Sequence, residues 1–129
     1  MRHLALIRLG VGLALGLGLA ACVTPSIPIP PPDPADADFT ITGQEGSTVA
    51  MFSYPADNNY VGATYYLFDH DNGGGVFHIA NADGSISVLA LPAAVGDQVV
   101  ITIEGNEQTV SRCVVLREGT QDPNSYCSF

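Results

Sequence analysis

From residue 38 onward the apolar and polar positions come in short runs, and no apolar period of 3.6 holds over ten residues. Residues 39–42 (FTIT) predict a first strand, turned by the glycines at 43 and 46. Residues 48–54 predict a second, stopped by Pro55, with a loop at Asp57-Asn58-Asn59. Residues 63–69 (ATYYLFD) and 76–80 predict a third and a fourth on either side of the glycine-rich turn 70–75. Residues 85–91 predict a fifth, between the turn at 81–84 and Pro92. A sixth over 98–104 and a seventh over 108–117 flank Gly105-Asn106, and residues 126–129 predict a short eighth.

Alternation gives several of these strands two faces. Val99, Ile101 and Ile103 point one way, and Val100, Thr102 and Glu104 the other. Ile86 and Val88 alternate with Ser85 and Ser87. Val110, Val114 and Leu116 share a face with Arg112, an imperfect stripe that suits an edge or rim strand. Seven or eight short strands, with turn signals about every 8–12 residues, predict an all-β fold. The expected architecture is a small antiparallel β-sandwich.

The first 37 residues read differently. Arg2, His3 and Arg8 give the start a positive charge, and residues 9–21 (LGVGLALGLGLAA) are apolar and uncharged. About a dozen such residues fit the core of a signal peptide, whereas a membrane-spanning helix needs about 20. The run ends Leu19-Ala20-Ala21-Cys22, which resembles the lipobox of bacterial lipoproteins. The resemblance implies cleavage before Cys22 and lipid on its sulfur and amine, which is stable anchoring by more than one acyl chain. The family's inner-membrane sorting pattern has an aspartate just after the cysteine. Val23 and Thr24 stand here, so the resemblance implies the outer membrane.

Residues 23–37 (VTPSIPIPPPDPADA) hold proline at six of fifteen positions, which favours extended polyproline II. At about 3.1 Å per residue this predicts a semi-rigid stalk of about 40 Å. The expected organisation is a signal peptide over 1–21, a lipidated cysteine and linker over 22–37, and a sandwich over 38–129.

Charge narrows the partners. Thirteen acidic residues face four basic ones, for a net charge of −9, and lysine is absent. Removing residues 1–21 takes away Arg2 and Arg8 and leaves 2 − 13 = −11. So acidic a chain lacks the basic footprint a nucleic-acid binder needs, and anionic headgroups repel it. The charge serves solubility, and it tolerates divalent cations or a basic partner.

Three cysteines are odd for an exported chain until Cys22 is set aside for lipid. Cys113 and Cys127 then remain, and two thiols in an oxidising compartment pair. Two cysteines fourteen apart lack the close spacing of a zinc site.

A second resemblance lies in Asp83-Gly84-Ser85-Ile86-Ser87-Val88 followed by residues 91–97 (LPAAVGD). It is similar to the signature of bacterial immunoglobulin-like and carboxypeptidase-regulatory-like (transthyretin-like) modules, as is residues 61–67 (VGATYYL) upstream. Position 86 holds Ile where the family usually has an aromatic residue. The resemblance covers about residues 61–105 and implies a non-catalytic spacer or binding module, with topology open between the two types.

Candidate chemistry is sparse. Asp69, Asp71 and Asn72 have a spacing that lets oxygens converge on Ca²⁺, without the distal glutamate of an EF-hand, so a plain polar turn is the leading reading. Asp57-Asn58-Asn59 is a weaker candidate of the same kind. His70 and His78 are expected on the surface, with His78 opposite in face to Phe77 and Ile79 and pointing outward. Tyr54, Tyr60, Tyr65, Tyr66, Phe68 and Phe77 lie close in sequence, and core filling is the first expectation for them. No nucleophile elbow, phosphate loop, HExxH or CxxC motif occurs, and no cofactor is implied. The function expected is a non-enzymatic lipoprotein, a structural or interaction module at the cell envelope with a protein or carbohydrate partner. The alternatives are a carbohydrate- or peptide-binding module using exposed tyrosines, and a small envelope enzyme inhibitor with a loop near Cys127.

Overall fold

A computed structural model describes residues 27–129. Its strands are β1 (Asp38–Thr42), β2 (Val49–Tyr54), β3 (Thr64–Asp69), β4 (Gly74–Ile79), β5 (Ile86–Pro92), β6 (Gln98–Gly105), β7 (Gln108–Val115) and β8 (Gly119–Thr120). They form two antiparallel four-stranded sheets, ordered β5-β2-β1-β8 and β4-β3-β6-β7. The molecule is therefore the small β-sandwich that the alternation predicts. β4 pairs with β3 and not with β5, so its fourth strand sits on the other sheet from the constant-type immunoglobulin order.

Local chemistry explains the connections. Asn106 and Glu107 take positive φ, 52° and 60°, the backbone a two-residue type I′ turn requires between right-twisted strands. Gly84 takes φ +83°, and a Cβ there would lie 1.9 Å from the Asp57 carbonyl oxygen. Only glycine allows the 81–84 turn to approach that loop so closely. Pro92 does not stop β5 but closes it, pairing with Val49, which an edge strand tolerates.

The inward face of each strand builds one core. Phe39, Phe52, Tyr54 and Tyr65 interlock from the two sheets, with ring centroids 5.1 to 6.2 Å apart along the chain of contacts. Leu67, Leu91, Val99, Ile101, Ile103 and Val114 fill the rest and are buried. Val99, Ile101 and Ile103 point inward as their alternation predicts. Arg112 interrupts the inward stripe because β7 is an edge strand, where a long side chain reaches past the core.

Two expectations are corrected. Residues 126–129 are not a strand: the eighth strand is Gly119–Thr120, paired to Asp38 and Phe39. The last residues are joined to the sheet through side chains instead of a backbone ladder, with Ser128 N donating to Gln98 Oε1 and Ser125 Oγ accepting from Val115 N. The proline segment is not a free stalk over its described part, residues 27–37. Ile29, Pro32, Pro34 and Ala37 are buried. Gln108 holds it at one end, donating from Nε2 to the Ile27 carbonyl and accepting at Oε1 from Ile29 N. Tyr60 Oη donates to the Pro30 carbonyl, and Tyr54 Oη accepts from Asp33 N. Proline lacks a donor but keeps its carbonyl, so an extended proline run can still be latched by hydroxyls along a groove.

Candidate functional site

The loop after β3 and the loop before β6 meet at three carboxylates. Asp69, Asp71 and Asp97 place oxygens within 4.8 Å of one another. Asp69 is fully buried; its Oδ1 accepts from Asp71 N (3.0 Å) and Asn72 N (3.2 Å), and its Oδ2 from Asn72 Nδ2 (2.6 Å). Asp71 Oδ2 accepts from Gln98 N at 2.6 Å. Asp97 Oδ2 accepts from Ala94 N at 2.8 Å and from Asn72 Nδ2 at 2.9 Å. Burial, followed by the bond and the like charge of Asp69, raises the Asp97 pKa above the usual carboxylate value.

The calcium set expected from sequence is therefore rearranged. Asn72 turns its amide nitrogen, a donor, toward both Asp69 and Asp97, so its position in the cluster is that of a clasp and not of an oxygen ligand. Asp97 takes the third place. It lies far along the chain from Asp69, and no local spacing marks it. Amide donors already occupy all three carboxylates, and what they hold together is the β3–β4 turn against the β5–β6 loop. Asp57, the weaker candidate, caps the 3-10 turn Asn58–Tyr60 by accepting from Asn59 N at 2.8 Å.

The histidines stand apart in role. His70 stacks on Phe129 with ring centroids 3.8 Å apart. His78 is exposed, but its expected face is corrected. It lies opposite Tyr65 in the β3–β4 ladder, on the inward-facing row, while Phe77 lies opposite Tyr66 on the outer row. The edge position of β4, not an outward row, exposes His78.

That outer row is the apolar surface the fold leaves open. Tyr66 and Phe68 on β3 and Phe77 and Ile79 on β4 share it, with Phe77 69 % and Ile79 60 % exposed. Tyr66 and Phe77 pack ring to ring at 5.8 Å. The row of tyrosines that would stack a sugar is broken, since Tyr54, Tyr60 and Tyr65 are buried. Burial, then neighbouring tyrosine hydroxyls and Asp57, raise the pKa of Tyr60 and Tyr65 far above the ordinary value.

Cys113 and Cys127 form a disulfide with Cα atoms 5.9 Å apart. It pins the C-terminal segment to β7. Arg112 helps, donating from Nη2 to the Pro123 carbonyl at 2.6 Å and lying 5.5 Å from the Tyr126 ring centre. Arg117 donates from Nε to the Thr120 carbonyl at 2.7 Å. Cys22 lies outside the described residues. Among the described residues no helix is long and apolar enough to cross a membrane. No family model, curated protein or solved structure matches this chain.

Proposed function

We propose that the chain is a lipid-anchored, non-catalytic interaction module of the cell envelope, exported through residues 1–21 and anchored at Cys22. The observation that carries the interaction role is the exposed row Tyr66, Phe68, Phe77 and Ile79, four large apolar side chains on one face of a sheet. The Cys113–Cys127 bridge supports export, because such bridges persist where thiols are oxidised. The leader charge, the apolar run and the Leu19-Ala20-Ala21-Cys22 sequence support anchoring. The carboxylate cluster is engaged in hydrogen bonds that hold loops, which favours a structural role for it. The inhibitor reading has less support, since the segment near Cys127 is held to β7 by Arg112 and Ser125.

The test is metabolic labelling with palmitate. The parent chain takes up label and fractionates with membranes, whereas Cys22→Ser remains an unprocessed precursor without label. Equal labelling of the two removes the anchor from this reading.

A further inference from the structure

A sheet ends in strands with unpaired backbone groups, and a stable protein covers or breaks each such edge. Three of the four edges here are handled in that way. β5 carries a register shift against β2 between Phe52 and Tyr54 and closes on Pro92. β8 is two residues long, and Arg117 occupies the Thr120 carbonyl. β7 is flanked by the proline segment and by the C-terminal segment: Gln108 holds Ile27 and Ile29, Arg112 holds Pro123, and Ser125 takes the Val115 N–H.

β4 has none of these devices among the described residues. Its sequence, GGVFHI, has no proline, lysine or carboxylate. It pairs with β3 in unbroken register from Thr64↔Ile79 to Asp69↔Gly74. Ala80 N donates to the Ala63 carbonyl at 2.8 Å. By the alternation of an antiparallel ladder, residues 78, 76 and 74 then bond to β3, and residues 75, 77 and 79 turn their N–H and C=O groups outward.

We propose that β4 is a self-association edge, where a second copy of this chain adds its own β4 antiparallel across a two-fold axis at Phe77. The two sheets would then continue as one. Residues 75, 77 and 79 would meet 79, 77 and 75 of the second copy, giving about six backbone hydrogen bonds. The side chains suit this register. Phe77 would face its own copy and extend the Tyr66–Phe77 contact into one aromatic row across both molecules. Ile79 would lie over Gly75, the residue with no side chain to oppose it. Charge favours the same occupant. A basic partner finds no carboxylate on this strand, and two copies of so acidic a chain repel least along a strand that carries no carboxylate. The association does not depend on the lipid anchor.

The test is cysteine cross-linking of the purified full-length chain under a mild thiol oxidant, with linkage sites read by peptide mass. Cα atoms of a hydrogen-bonded antiparallel pair lie about 5.5 Å apart, within disulfide range. Phe77→Cys is expected to give a 77–77 dimer at least about ten-fold faster than Val88→Cys, an exposed site on β5, because pairing holds its sulfurs within bonding range. Adding Ile79→Lys to Phe77→Cys is expected to abolish the dimer without loss of the folded circular dichroism signal. Equal rates at 77 and 88, no 77–77 linkage, or a dimer that survives Ile79→Lys would each overturn the proposal.

Discussion

The hydroxyl of Tyr60 donates to the carbonyl of Pro30 across 2.8 Å, joining a core side chain to a segment thirty residues earlier. Tyr60→Phe keeps the ring, and with it the edge contacts to Tyr54 and Tyr65, but leaves that carbonyl unpaired. The expected loss is about 1 kcal/mol, or about 5 °C in Tm for a domain of this size. Limited proteolysis should also cut the proline segment faster in the variant. Unchanged Tm and unchanged cleavage would mean that the latch contributes nothing.

Alkaline pH should unfold the domain. Burial raises the pKa of Tyr54, Tyr60 and Tyr65 in the folded state, so each contributes stability that is present below the ordinary tyrosine value. That contribution is lost as pH rises beyond about 10. Urea midpoints should hold up to about pH 10 and fall steeply above it, and less steeply in Tyr65→Phe. Equal slopes in parent and variant would separate the alkaline loss from Tyr65.

Mild acid should act in the opposite sense at the carboxylate clasp. The folded pKa of Asp97 is raised, by burial first and then by Asp69, so its protonated form is favoured in the fold. The resulting stability is present below the ordinary aspartate value and lost as pH rises through the raised one. Asp83, held low by Ser85, loses its contribution as pH falls, but it is fully exposed. Asp97→Asn should therefore be at least as stable as the parent at neutral pH and should flatten the Tm profile toward acid. A variant profile parallel to the parent's would contradict the role assigned to Asp97.

The turn at Asn106-Glu107 holds a correctable strain. Both residues take positive φ, which asparagine tolerates and glutamate does not. Glu107→Gly should stabilise the domain by about 1 kcal/mol, measured by urea unfolding. Glu104→Gly, at an exposed position within β6, should destabilise it. Destabilisation at 107 would mean that the carboxylate contributes more than the backbone conformation costs.

Much of the fold was legible because turn residues and side-chain period act locally. Gly105-Asn106 marked a hairpin turn, and Val99, Ile101 and Ile103 marked a buried face. Asp83-Gly84 marked a turn as well, but it carries the chain from one sheet to the other and closes no hairpin, since β4 pairs with β3 and β5 with β2. Period alone does not say which face of a strand is buried. Phe77 and Ile79 look like the inward pair of β4, yet the ladder to β3 turns them outward. β8 is not legible in the sequence because two residues carry no period, and it forms only where Asp38 and Phe39 receive it. The site was less legible. Asp69 and Asp71 stand out in the turn, but Asp97 reaches them only through the folding of β6 beside β3. The packed prolines were hidden for a similar reason: their partners, Tyr54, Tyr60 and Gln108, come from three distant segments.

The clamped proline segment changes the mechanics of an anchor at Cys22. Only Val23, Thr24, Pro25 and Ser26 would separate the lipidated cysteine from Ile27, where Gln108 already grips the chain. Fully extended, those links reach about 18 Å, less than half the stand-off that a free segment would allow. On so short a leash the domain would ride at the bilayer surface, with the β6–β7 end nearest the lipid, and would diffuse in two dimensions. Its encounters would then be confined to neighbours in the same leaflet, at a local concentration that a soluble domain of equal abundance does not reach.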